Sequence, residues 1–238
     1  MIVPGLTPNE IVANVRNDLD SMKGQIVHLS QKFGKLVLST RYRTYPFVKI
    51  YDVVSPGKNK FFIAFQAMKR SDWKNPGKMI AGTYLDNDGQ YGFILCPSLI
   101  LEECMIAIIT PHFLKRYRER TVGDSGQDTS SLIREFMMRN RMMYMTELNE
   151  RHSNRKEKYA KEGTRQLAVI VNDGYCIAEK RDEDKKSFFM KTFITEEMMS
   201  RSQHEEISKN KELAQSRLRL LELLGGLKKT QKEIFIKN

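Results

Sequence analysis

Cysteine is scarce in this 238-residue chain, and the scarcity excludes several classes at once. Cys96, Cys104 and Cys176 are the only three, and no two of them form a Cys-x-x-Cys pair. A secreted disulfide framework needs an even set. An odd, sparse one fits reduced, buried thiols in a cytosolic protein. Histidine is also scarce. His28, His112, His152 and His204 lie far from one another and from the cysteines, whereas a zinc site needs ligands at close spacing. Neither a metal nor any other cofactor is expected. No apolar run approaches the roughly 20 residues that cross a bilayer, so no membrane partner is expected. Segment 1–9 lacks the basic stretch followed by an apolar one that marks a secretory signal. No internal repeat and no strong catalytic signature is present.

What the chain does have is positive charge. Its formal net charge is +11, with an apolar share of 40%, enough for a sizeable core in one large domain or two small ones. The excess is unevenly placed. Residues 1–34 carry three basic and three acidic groups, and 166–195 carry five of each. Residues 35–111 carry ten basic and six acidic groups, and 112–165 carry thirteen and eight. Such a basic middle suits phosphates or an anionic surface, although it also fits a solvated surface that keeps a protein soluble.

The periodicities predict an α+β fold, with a mostly antiparallel sheet flanked by N-terminal, central and C-terminal helices. Thr7-Pro8-Asn9-Glu10 has the form of a capping box. It opens a helix over 7–33 with a narrow apolar seam, and Gly34 is the expected stop. Strands are expected at 47–54, 60–69, 79–84, 91–96 and 105–109, with 79–84 and 91–96 paired through Asp86-Asn87-Asp88-Gly89. A basic helix follows over 112–120. A second helix starts near Thr129 or Ser130, runs past Leu148 and carries Met137, Met138, Met142, Met143 and Met145. Strands return at 167–171, 175–179 and 187–194 around an Asn172-Asp173-Gly174 turn. A terminal helix begins at Glu196 and includes Leu218, Leu220, Leu221, Leu223 and Leu224. The domain reading is an N-terminal helix over 1–34, a core over 35–195, and a C-terminal helix with a basic tail over 196–238. The core is either one sheet or two sub-sheets, 35–111 and 112–195.

Two constellations carry usable chemistry. On the 112–120 helix, His112, Arg116 and Arg120 align at steps of four with Glu119 beside them. Lys115 and Arg118 add charge. Guanidinium forks match phosphates, and an imidazole moves protons near neutral pH. Cleaving RNA without a metal needs that set: a base for the 2′-hydroxyl, cations for the phosphate and an acid for the leaving oxygen. Exposed Arg–Glu pairs are equally ordinary helix decoration. The second is Arg41-Tyr42-Arg43, where rings beside guanidinia could stack on unpaired bases, or where charge could protect a strand edge. Trp73 sits in a polar loop, either as an anchor against the sheet or as an exposed stacking group, with the anchor favoured.

A strand ending at Ile109, a helix carrying His112, Arg116 and Arg120, a further helix and then the strands of 167–195 resemble small toxin-type ribonucleases. These are the barnase, EndoU, colicin and RelE-like superfamily, in particular its short His-x-x-x-Arg relatives encoded by prophages and toxin–antitoxin loci. The resemblance covers 105–195. It implies metal-independent RNA cleavage with His112 as acid or base and the arginines on phosphate. Thr192 or Thr195 would be a further polar contributor. The readings are therefore three. The first is a nucleic-acid-binding protein, RNA favoured, without catalysis. The second is a toxin-like ribonuclease. The third is a non-catalytic interaction or assembly protein that meets a partner, or itself, through the 7–33 or the 196–224 helix.

Overall fold

The computed structural model describes residues 1–39, 44–96, 105–123, 126–140, 143–147, 163–184 and 186–199, and seven isolated positions between 201 and 216. The α+β expectation holds. One nine-stranded sheet runs through the described residues, in spatial order β1-β2-β3-β4-β5-β9-β8-β7-β6. The strands are β1 Phe47–Val54, β2 Lys60–Ala67, β3 Gly77–Asp86, β4 Gly89–Cys96, β5 Met105–Ile109, β6 Tyr144–Glu147, β7 Thr164–Val171, β8 Gly174–Arg181 and β9 Ser187–Ile194. The helices are α1 Pro8–Ser21, α2 Lys23–Ser39, α3 Pro111–Tyr117 and α4 Thr129–Arg139.

The sheet is two antiparallel meanders, β1 to β5 and β6 to β9, fused through one parallel pair. In that pair Ile106 lies opposite Ser187 and Ile109 opposite Met190. Among the described residues both meanders belong to this one sheet. All five residues of β5 are buried, because helices cover both faces at the seam and a continuous apolar run suits a strand with no wet side. Strand β2 shows the division. Phe61, Ile63, Phe65 and Ala67 join the core beneath α1 and α2, whereas Phe62 and Ala64 join the one beneath α3 and α4. Period-two alternation sends neighbours to opposite faces, so one strand feeds two cores. The close approach of α4 requires Gly92: a Cβ there would collide with the Ile133 side chain.

The expected 7–33 helix is two helices. The capping box at Thr7 and Glu10 forms as read, but the chain turns at Met22, whose amide caps α1 on Asp18 and Leu19 carbonyls. A straight helix of that span would be about 40 Å long, overhanging strands of about 27 Å. The break lets both halves lay their apolar stripe on the sheet. Gly34 is no stop: it lies buried inside α2.

The second central helix also ends early. Asn140 leaves helical geometry, and its side chain donates to the Phe136 carbonyl at 3.1 Å and to Asp173 at 3.0 Å. That terminates α4, and residues expected to remain helical form β6. The methionines are therefore divided: Met137 and Met138 lie on α4, and Met145 on β6. Met142 lies outside the described residues. Glu196–Met198 forms a single 3-10 turn rather than the start of a regular helix. The leucines of 218–224 lie outside the described residues. Among the described residues, no helix is long and apolar enough to cross a membrane.

Candidate nucleic-acid interface

The α3 region begins at Thr110, whose hydroxyl donates to the Met190 carbonyl at 3.0 Å and accepts from the Phe113 amide at 3.2 Å. This fixes the helix to β9. Phe113, Leu114 and Tyr117 point inward, where Tyr117 meets Phe136 and Phe193 edge-on at 4.9 and 5.0 Å between ring centroids. His112, Lys115 and Glu119 are consequently exposed.

Beyond Tyr117 the chain winds wide as a π turn over Arg118–Val122, closed by the Gly123 amide on the Arg118 carbonyl at 2.9 Å. This turn shifts the spacing that aligned His112, Arg116 and Arg120. Arg116 pairs with Glu119 at 2.9 Å. Arg118 turns back to the Gln127 carbonyl at 2.7 Å. Arg120 donates to the Phe193 carbonyl of β9. His112 is exposed and makes no side-chain hydrogen bond among the described residues. Thr192 lies opposite Ile177, next to Phe193, and Phe193 faces α3. Alternation along β9 therefore turns Thr192 to the other side of the sheet. Of the five residues expected to act together, Arg116 and Glu119 pair with each other, Arg120 bonds to the Phe193 carbonyl, and Thr192 lies on the opposite face of the sheet. Lys115 is exposed and has no ion pair among the described residues.

Arg41, Tyr42 and Arg43 lie outside the described residues. The fold places the end of the preceding helix, Leu38–Ser39, beside a 3-10 turn, Arg70–Lys74, at the β1–β2 side of the sheet. Asp72 organises this turn by accepting from the Met68 and Lys69 amides at 2.8 and 3.1 Å. Arg70 donates to the Leu38 carbonyl at 3.3 Å. A Cβ on Gly34 would stand 2.5 Å from the Trp73 carbonyl oxygen. A glycine at that point of α2 is what lets the turn lie against the helix.

The product is a basic, aromatic corner. Trp73 is 37% exposed, with the Lys74 ammonium 5.3 Å from its ring centre. Leu38 and Met68 are exposed nearby in the chain path, as are Lys35, Lys69 and Arg70. The indole is thus partly exposed, with its Cε3 edge toward Gly34 of α2. The signal in the sequence was the interleaving Lys69-Arg70-Ser71-Asp72-Trp73-Lys74, which places the chain's single tryptophan among three cations.

A further cluster was invisible in the sequence. Asp173, at the β7–β8 turn, accepts from Tyr117 at 2.7 Å and Asn140 at 3.0 Å, and Arg139 approaches it at 2.9 Å. Burial, and then the hydrogen bond to Asp173, push the Tyr117 hydroxyl far above its ordinary pKa. Every polar group here is satisfied by another, so the cluster is a lock between α4 and the hairpin. Among the described residues, no group of three or more His, Cys, Asp or Glu could hold a metal ion. Comparison with family models, curated proteins and solved structures gives no match.

Proposed function

We propose that this chain is a basic nucleic-acid-binding protein that takes up unpaired strands, RNA favoured, at the Trp73 corner, and that it carries out no chemistry there. The observation that carries this reading is the partly exposed indole among Lys69, Arg70 and Lys74, on a turn whose Asp72 accepts from the Met68 and Lys69 amides. Stacking of a base on an aromatic ring contributes about 1–3 kcal/mol and tolerates any base. Cations beside the ring attract the backbone and make binding fall with salt. RNA is favoured because proteins meet it mainly through unpaired, splayed bases.

The ribonuclease reading draws less support. Its guanidinia are engaged, Arg116 by Glu119 and Arg120 by the Phe193 carbonyl, and Thr192 faces away from the helix. The deciding experiment is a titration of labelled single-stranded RNA, single-stranded DNA and duplex with the full chain across salt concentrations. Tightest binding to unpaired RNA, weakening steeply with salt, is expected. Absence of binding at low ionic strength would sink the proposal. Cleavage in EDTA that His112→Ala abolishes would replace it with the ribonuclease.

A further inference from the structure

Helix α2 carries charge of one sign only. Its 17 residues include Lys23, Lys32 and Lys35 and no aspartate or glutamate. The other long helices mix the signs: α1 has Glu10, Asp18 and Asp20 with Arg16, and α4 has Glu135 with Arg134 and Arg139. A helix face that only has to stay wet gains from Glu–Lys pairs one turn apart, and like charges at that spacing cost it stability. Lys23 pairs with Asp20 of α1 at 3.1 Å. Lys32 and Lys35 are exposed and have no ion pair among the described residues.

The fold sets these two lysines beside the indole. At about 100° per residue the buried Ile26, Phe33 and Val37 form one stripe of α2, and Gly34 lies on its border. The Trp73 turn meets α2 along this border, at Gly34 and at the Leu38 carbonyl, which accepts from Arg70 at 3.3 Å. Going round the helix away from the stripe, Leu38, Gln31, Lys35, His28 and Lys32 follow within about 160° of Gly34. All five are exposed. The remaining members of this arc are Gly24, Val27 and Ser39, so it holds no carboxylate. Two ammonium groups with an amide and an imidazole beside them match the phosphates of a nucleic-acid strand. From Gly34 back to His28 the helix advances about 9 Å, the length of about two to three stacked nucleotides at roughly 3.4 Å each.

We propose that an unpaired strand whose base stacks on Trp73 continues across the exposed face of α2, with its next phosphates on Lys35 and Lys32. This rests on the reading of the Trp73 corner as a single-strand site, and it extends the footprint from one base to about four nucleotides. Lys35 adjoins the point where the turn meets the helix and takes the nearer phosphate. Lys32, almost one turn back, takes the one after it.

A hexauridylate titrated into the full chain across a salt series tests it, with anisotropy reporting affinity and tryptophan emission reporting stacking. In Lys32→Gln, Lys35→Gln, the slope of log affinity against log salt should flatten by about 1.4, at about 0.7 per phosphate contact, while the quench of Trp73 at saturation stays that of wild type. Lys58→Gln, exposed in the β1–β2 turn at the opposite end of the sheet, should leave both readouts unchanged. A wild-type slope in the double variant, with quenching intact, would overturn the α2 path and leave the Trp73 reading standing. Absence of quenching in the wild type would overturn both. Polyglutamate that binds more tightly than the hexauridylate, and loses that affinity in the double variant, would also overturn the proposal by assigning the face to an acidic protein segment.

Discussion

The α3 surface and the Trp73 corner are both basic in sequence, and the fold uses their charge in opposite ways. On α3 the guanidinium groups turn back to the protein, to Glu119, the Gln127 carbonyl and the Phe193 carbonyl. At the corner, one arginine reaches the Leu38 carbonyl while Lys69 and Lys74 remain exposed around an indole. Charge density along a sequence therefore says little about charge available to a ligand. The two surfaces differ in what their cations reach: Arg116, Arg118 and Arg120 each meet a protein oxygen, whereas Lys69 and Lys74 are exposed.

The largest effect expected from breaking this contrast comes from removing two of the corner's cations together. In Lys69→Ala, Lys74→Ala, the slope of log affinity against log salt should flatten by about 1.4, at about 0.7 per phosphate contact for single strands. Fluorescence anisotropy in a salt series measures it, and an unchanged slope would place the interface elsewhere. Trp73→Ala should come next, weakening RNA binding about 5- to 150-fold, the equivalent of the roughly 1–3 kcal/mol that stacking supplies. Trp73→Phe should recover part of the loss. Circular dichroism should be indistinguishable from wild type, since the ring is partly exposed.

Arg120→Ala should do the reverse. Losing its charged bond to the Phe193 carbonyl should lower stability in urea by about 1.5–3 kcal/mol, with RNA affinity at the corner intact. A loss of affinity without a loss of stability would erase the distinction between the two surfaces. The smallest effect is expected at Lys115→Ala and His112→Ala, each exposed. Both should leave stability within about 0.5 kcal/mol of wild type, and RNA incubated with either protein in EDTA should stay intact on a denaturing gel, as with wild type.

Much of the scaffold was legible. β1, β5 and β9 fall at the residues expected, because β-branched and aromatic runs bounded by turns are a local signal. The Asp86–Gly89 hairpin is local too. The misses share a cause: they depend on contacts distant in sequence. The apolar seam continues across Met22, so only the dimensions of the sheet reveal that the helix must break. The methionine-rich segment favours helix by composition, and Asn140 ends it by bonding to Asp173 on a later hairpin. The spacing that aligns His112, Arg116 and Arg120 is altered by a π turn and by the Phe193 carbonyl of β9, which Arg120 meets. Where the Trp73 turn lies depends on the space above Gly34 on another element.

Trp73 is the chain's single tryptophan, so its emission reports on the proposed platform without any label. Titrating a short unpaired RNA into the full chain at low salt should quench that emission saturably, and added salt should restore it. RNA that binds by anisotropy while the tryptophan emission stays constant would contradict stacking at this corner.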